Sequence, residues 1–186
     1  MKVENLKYDI TAPGAKKAIA WFFFRLALLF VTWHFIYGQF LFPTAVIDSP
    51  LANLITSFVV KCVNILSSSI EPISWAMSPV KHHNYLVQNN KMVFSIDYSC
   101  LGINLMFTYV SIIVLLPYPV MRKIIFCIGG IVVIIITNIV RISGLYFIYI
   151  YYKTSFDFSH HYLFTLLMDI VIFYGWLLFI KKKKIA

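Results

Sequence analysis

Four runs of this chain are apolar over lengths that suit a lipid bilayer: 18–42, 101–116, 124–140 and 162–180. A helix crossing the roughly 30 Å hydrocarbon core takes about 20 mostly apolar residues. Within that core every backbone polar group must be bonded inside the segment itself. The chain is therefore expected to be an all-α polytopic membrane protein, a helical bundle of about four spans forming one membrane-embedded domain over 18–180. Composition agrees, with 61% hydrophobic and 12% charged residues. A soluble domain carries about 45–50% and about 25%, so that class is excluded.

Charge then orients the bundle. Lys2, Lys7, Lys16 and Lys17 precede the first run, Arg122 and Lys123 sit between the second and third, and Lys181–Lys184 follow the fourth. The positive-inside rule makes all three basic clusters cytoplasmic, and four spans connect them with the required parity. Residues 1–17 are read as a cytoplasmic basic arm, 181–186 as a cytoplasmic basic tail, and 43–99 as an outer-face segment. With Arg25 and against Glu4 and Asp9, these clusters place +9 on the cytoplasmic side; the outer side carries +1. The net charge is thus an orientation signal, not a nucleic-acid signal. No small-residue cleavage site followed by a polar mature domain trails the first run, which reads as an uncleaved span.

Within the outer segment, Pro50–Val80 mixes apolar runs with Lys61, Asn64, Ser67–Ser69, Glu71 and three prolines. It is expected to be an amphipathic or re-entrant element at the outer leaflet. Next, Tyr85–Gln88 and Lys91–Tyr98 flank Asn89-Asn90, the pattern of a β-hairpin with a type I′ turn. Beyond Arg141 the third run stays apolar to Tyr152, too long for the core if wholly helical. It is expected either to protrude as a tilted helix or to break near Ser143–Gly144. Three cysteines at wide spacing, Cys62, Cys100 and Cys127, indicate neither a disulfide framework nor a metal site.

Few polar residues lie at the outer ends of the spans. Cys100, with Gly102 and Asn104, opens the second; Asn138 and Arg141 close the third; His160 and His161 stand at the entrance to the fourth. Topology brings them to one membrane face. A cysteine at a helix N-terminus, near Arg or His, is favoured as thiolate. An arginine at membrane depth usually faces the bundle interior with a role and a partner. Histidine beside a cysteine supplies a general acid and base. Taken singly, each residue also suits a structural part: a small buried hydrophobe, an interfacial anchor, a polar cap. Asp169 lies mid-span, two turns below His161, and must be buried, protonated or paired; Arg25 of the first span is one candidate partner.

Tyr98-Ser99-Cys100-Leu101-Gly102, then Asn138-Ile139-Val140-Arg141-Ile142, then a histidine 19–20 residues later before a last apolar helix, resembles the exosortase/archaeosortase family. Its members are polytopic membrane transpeptidases with Cys-x-Gly, Asn-x-x-Arg-Ile and a downstream His. The likeness covers Val93 to about Ile180, and the chain is similar to compact bacterial members. Leu101 stands where Ser is usual. The resemblance implies that Cys100 is the nucleophile, Arg141 an essential cation and one of His160 and His161 the third member. Family histidines commonly precede a small residue by four positions, which favours His161 through Thr165. Gly102, Asn104, Asn138 and Asp169 are candidates for supporting roles around these three.

The function so implied is a membrane-embedded cysteine protease or transpeptidase at the outer face of the cytoplasmic membrane. It would cleave the C-terminal sorting signal of a secreted protein, made of a short motif, a transmembrane helix and a basic tail, through a thioester. No metal or organic cofactor and no nucleic acid is expected. The alternative is a non-enzymatic membrane subunit or scaffold whose Arg, Asp and His hold helices together. A transporter is disfavoured because Ile124–Ile136 lacks polar residues along a path. A metal-dependent membrane protease would carry HExxH or paired acids, and neither is present.

Overall fold

The computed structural model describes residues 13–67, 71–78 and 82–181. Most of the basic arm (1–12) and nearly all of the basic tail (182–186) lie outside the described residues. Helix α1, Pro13–Ile36, continues through a π-helical turn at Tyr37–Leu41 and a short turn at Phe42–Thr44, ending at Ala45 with φ 50°. Helix α2 is Asp48–Leu66. Three strands follow: β1 Ser74–Met77, β2 His83–Gln88 and β3 Lys91–Asp97. Helices α3, Ile103–Leu115, α4, Val120–Tyr151, and α5, Phe164–Ile180, complete the chain.

Among the described residues five helical runs are long and apolar enough to cross a membrane, and the chain is an all-α polytopic membrane protein with a small three-stranded sheet. Four of the runs coincide with the apolar stretches of the sequence. The fifth is α2, a single helix of spanning length inside the segment expected to hold an amphipathic or re-entrant element. Its packing sets it apart. Ala52, Ile55, Val59 and Val63, spaced three and four apart, form one buried stripe. That stripe joins a core with Leu86 and Ile96 of the sheet, Leu101, and Ile142 and Tyr146 from the far half of α4.

Polar contacts fix α2 in the same place. The Asn84 side-chain amide donates to Thr56 (3.1 Å) and Asn53 (3.2 Å) on α2. Asn64 makes a reciprocal pair of bonds with the Ile73 backbone. Asp48, fully buried at the start of α2, accepts a hydrogen bond from Tyr37.

A second core lies at the other end of the bundle, with Tyr109, Ile113, Ile134, Met168, Ile172 and Phe179 at its centre. Two glycines make it possible. A Cβ at Gly130 would lie 2.0 Å from the Tyr109 ring, and one at Gly175 would lie 2.9 Å from it. The phenol therefore wedges between α4 and α5, the close approach that small residues permit in membranes. At the base, Arg122 donates to the carbonyls of Phe179 and Lys181, capping the C-terminus of α5, and lies over the Tyr118, Phe126 and Phe179 rings.

The third run does not break at Ser143–Gly144. Helix α4 is continuous over 32 residues, about 48 Å at 1.5 Å per residue. Ser143, Leu145 and Tyr146 are all buried, and the Phe164 ring packs directly on Gly144. Packing on both sides outweighs the roughly 1 kcal/mol that glycine costs a helix.

The hairpin has the expected turn, with Asn89 and Asn90 at φ 52° and 58°, as a type I′ turn requires. One strand was not legible: β1, which adds antiparallel to β2 and gives the order β1-β2-β3. The β2–β3 register slips by one residue at Val93, between the Leu86–Phe94 and Val87–Met92 pairs.

Candidate active site

The site is assembled where β3 runs into α3. Cys100 lies in a 3₁₀ turn, Tyr98–Leu101, one step ahead of the helix rather than in its first turn. Asp97 starts that turn by accepting from the Ser99 N–H (2.7 Å). Gly102 ends it at φ 78° and then caps α3. Left-handed backbone of this kind favours glycine.

Asn138, fully buried on α4, donates its side-chain amide to the Leu101 carbonyl and lies against Gly102, where a Cβ would be 2.6 Å from its nitrogen. The close approach at Gly102 is thus made by Asn138. Together they pin the cysteine turn to α4.

Asn138, Arg141, Ile142 and Leu145 share one face of α4 by their 3–4 spacing. A small cavity of about 60 Å³ gathers Cys100, Arg141, His160, Asp97 and Phe156. The Cys100 sulfur is 3.9 Å from His160 Nε2 and 3.9 Å from the Ser99 hydroxyl. Arg141 is partly buried, and its Nε has no hydrogen-bond partner among the described residues.

His160, not His161, reaches the cysteine. Ser159–Leu163 forms a π-helical turn, which holds one residue more than an α turn. Its backbone bond runs from the Phe164 N–H to the Ser159 carbonyl, and the Thr165 hydroxyl donates to the carbonyl of His160 (3.5 Å). The expectation had favoured His161 on the family pattern of a small residue four positions on, Thr165. His160 stacks on Phe156 (5.8 Å between centroids, 18°), while His161 is exposed and meets His160 edge-on.

Two expected helpers stand elsewhere. Asn104 accepts from the Trp33 indole (3.0 Å), and Trp33 also stacks on Phe107 (4.2 Å), so this residue ties α1 to α3. Asp169 is exposed beside Leu105 and Thr108, and Arg25 is exposed on α1. No ion pair joins the two among the described residues. The second histidine pair is spent in packing: His82 lies against Phe42 and Tyr98, and His83 bonds Tyr85 (2.5 Å).

Asp97 and Phe156 are the site residues that motif reading missed. Asp97 had a signal, since Asp two residues before Ser99 is an Asx-turn pattern. Replacing Gly102 with alanine is expected to lower the thermal midpoint and the yield of folded protein. Both the positive φ and the Asn138 contact oppose the new Cβ. A melt monitored by tryptophan fluorescence checks it; an unchanged midpoint would contradict this account of the turn.

Fold and site together describe a polytopic membrane protein with a cysteine, a histidine and an arginine lining one cavity. The chain matches the family model for transmembrane exosortases over residues 10–181 and belongs to that family. Members are membrane transpeptidases that process the C-terminal sorting signals of secreted proteins. No curated protein and no solved structure matches the chain.

Proposed function

We propose that the protein is a cysteine transpeptidase in which Cys100, His160 and Arg141 perform the chemistry. The observation that carries the reading is the 3.9 Å approach of the Cys100 sulfur to His160 Nε2, in a cavity that Arg141 also lines.

His160 takes the thiol proton, and the sulfur attacks the scissile carbonyl. Negative charge moves onto the carbonyl oxygen, beside the Arg141 guanidinium that lines the same cavity; preorganised donors aimed at such charge are a main source of rate. The tetrahedral adduct collapses, the C–N bond breaks, and His160 returns the proton to the departing amine. The acyl half remains on Cys100 as a thioester. An amine, or water, then gives a proton to His160, attacks the thioester carbon and frees the sulfur. Asn138 and Gly102 position the nucleophile by holding its turn against α4.

The substrate in this reading carries a short motif, one transmembrane helix and a basic tail. The site faces outward from the cytoplasmic membrane, with both termini cytoplasmic. Helix α2 is then an outer-leaflet cap and not a span. In support, it packs on the sheet and on the protruding part of α4. A crossing there would put the N-terminal and C-terminal lysine clusters on opposite sides.

In a C62S, C127S background, a membrane-impermeant maleimide added to intact cells should label Cys100. Labelling only after lysis would reverse the topology. In membranes containing a co-expressed substrate, hydroxylamine should divert the acyl group and leave a hydroxamate at the new C-terminus. Absence of that product while cleavage proceeds would exclude the thioester.

A further inference from the structure

Successive side chains of a strand point to opposite faces, so a cavity touching several in a row lies along the strand's edge. Two cavities follow β3 in this way. The site cavity touches Phe94, Ser95, Ile96 and Asp97. A larger neighbour of about 360 Å³ touches Met92, Val93, Phe94 and Ser95 and is walled by Tyr149 and Phe156. They share Phe94, Ser95 and Phe156, and so form one groove running from Met92 to Cys100.

β3 is the outer strand of the sheet, and its backbone groups on that side have no strand partner. Which groups these are follows from the ladder. The Tyr98 N–H donates to the His82 carbonyl (3.0 Å), which makes His82 and Tyr98 a hydrogen-bonded pair. Bonded pairs recur at every second residue of an antiparallel ladder. Asn84–Ile96 is therefore the next bonded pair, while Tyr85–Ser95 and His83–Asp97 are the non-bonded ones. The N–H and C=O of Ser95 and Asp97 consequently point away from β2, into the groove that leads to Cys100. An open strand edge is a liability that proteins usually block; here it borders the reactive sulfur.

The geometry points to β3 as the docking strand for the substrate. The acyl half of the polypeptide adds to the free edge as an extended strand parallel to β3. It pairs with the main chain of Ser95 and Asp97 and brings its last carbonyl to Cys100. This rests on the reading of Cys100 as the nucleophile. Strand addition takes affinity from main-chain hydrogen bonds and selectivity from side-chain pockets. The pocket walled by Tyr85, Val93, Tyr149 and Phe156 suits an apolar side chain upstream of the cleaved bond. The acyl half is the one assigned because it stays bonded to Cys100 and must be held while the second nucleophile enters.

The test uses the full chain in lipid nanodiscs and two chloromethyl ketones, acetyl-Val-Phe-Val-Ala and acetyl-Ala. Alkylation of Cys100 is followed by mass spectrometry. The tetrapeptide should react at least about tenfold faster, which two main-chain hydrogen bonds of about 1 kcal/mol each suffice to supply. N-methylation of its amides one at a time should cancel that advantage at alternate positions and spare those between. Ser95→Pro removes an outward N–H that β2 does not use, a substitution edge strands tolerate. It should cancel the advantage as well, with a wild-type circular-dichroism spectrum as proof of a folded protein, whereas Ser95→Ala should keep it. Equal rates for the two reagents, an N-methyl series without alternation, or a Ser95→Pro variant that retains the advantage would each overturn the docking strand. If Cys100 resists both reagents, the nucleophile reading itself falls, and the docking strand with it.

Discussion

A Cys100→Ser variant is expected to lose processing of a sorting-signal substrate by at least about 10³-fold, the scale seen when an enzyme loses its nucleophile. Serine keeps the side chain's size and can still occupy the turn between Asp97 and Gly102. Its hydroxyl, however, ionises far less readily than a thiol, and nothing in the cavity compensates beyond the histidine. Cys100 is only partly buried, so the exchange should leave the amount of inserted protein unchanged. Cys62→Ser and Cys127→Ser, at residues that line no part of the cavity, should process substrate at the wild-type rate. The measurement is the ratio of precursor to processed substrate on a gel, against the quantity of enzyme in the membrane fraction. Wild-type processing by Cys100→Ser would remove the basis for a transpeptidase acting through this residue and favour a scaffold.

How far the chain could be read in advance depended on whether local chemistry or tertiary context decided each element. The apolar runs, the Pro117 and Pro119 stop after α3 and the Asn89-Asn90 turn are local features, and each appears in the fold as expected. That Cys100, Arg141 and a histidine come near one another was also legible, because span parity brings the segments that carry them to one end of the bundle. Continuity of α4 through Gly144 was not, since it depends on Phe164 and on the core that holds Ile142 and Tyr146 rather than on propensity. β1 escaped for a related reason. Ser74–Met77 is four residues without clear alternation, and it becomes a strand only because β2 offers an edge. Asn104, a candidate for a supporting role at the site, instead accepts from Trp33. It follows Cys100 by four residues, but the 3₁₀ turn and Gly102 intervene, so helical spacing does not carry one onto the face of the other. The lean to His161 came instead from a family pattern, the small residue four positions on, and that pattern does not say which ring meets the sulfur.

That choice supplies the second large effect. His160→Ala should lower the rate of substrate cleavage by about 10²–10⁴-fold, the usual contribution of a positioned general acid and base, while His161→Ala should remain close to wild type. The π-helical turn at Ser159–Leu163 is what separates them. With one residue more in the turn, the side chain of position 160 swings over the cavity and that of 161 is left on the exposed side. Stacking on Phe156 then holds the His160 ring with Nε2 toward the sulfur. A merely structural role is distinguished by chemical rescue. Added imidazole should restore part of the activity of His160→Ala, because the truncated side chain leaves a space of the right shape beside Cys100. It should do nothing for Cys100→Ser, whose missing group is the nucleophile. Phe156→Leu should fall between the extremes, since it preserves bulk but loosens the ring that orients His160. The reverse pattern, an inactive His161→Ala beside an active His160→Ala, would mean that the turn rewinds to regular α-helix in the working enzyme.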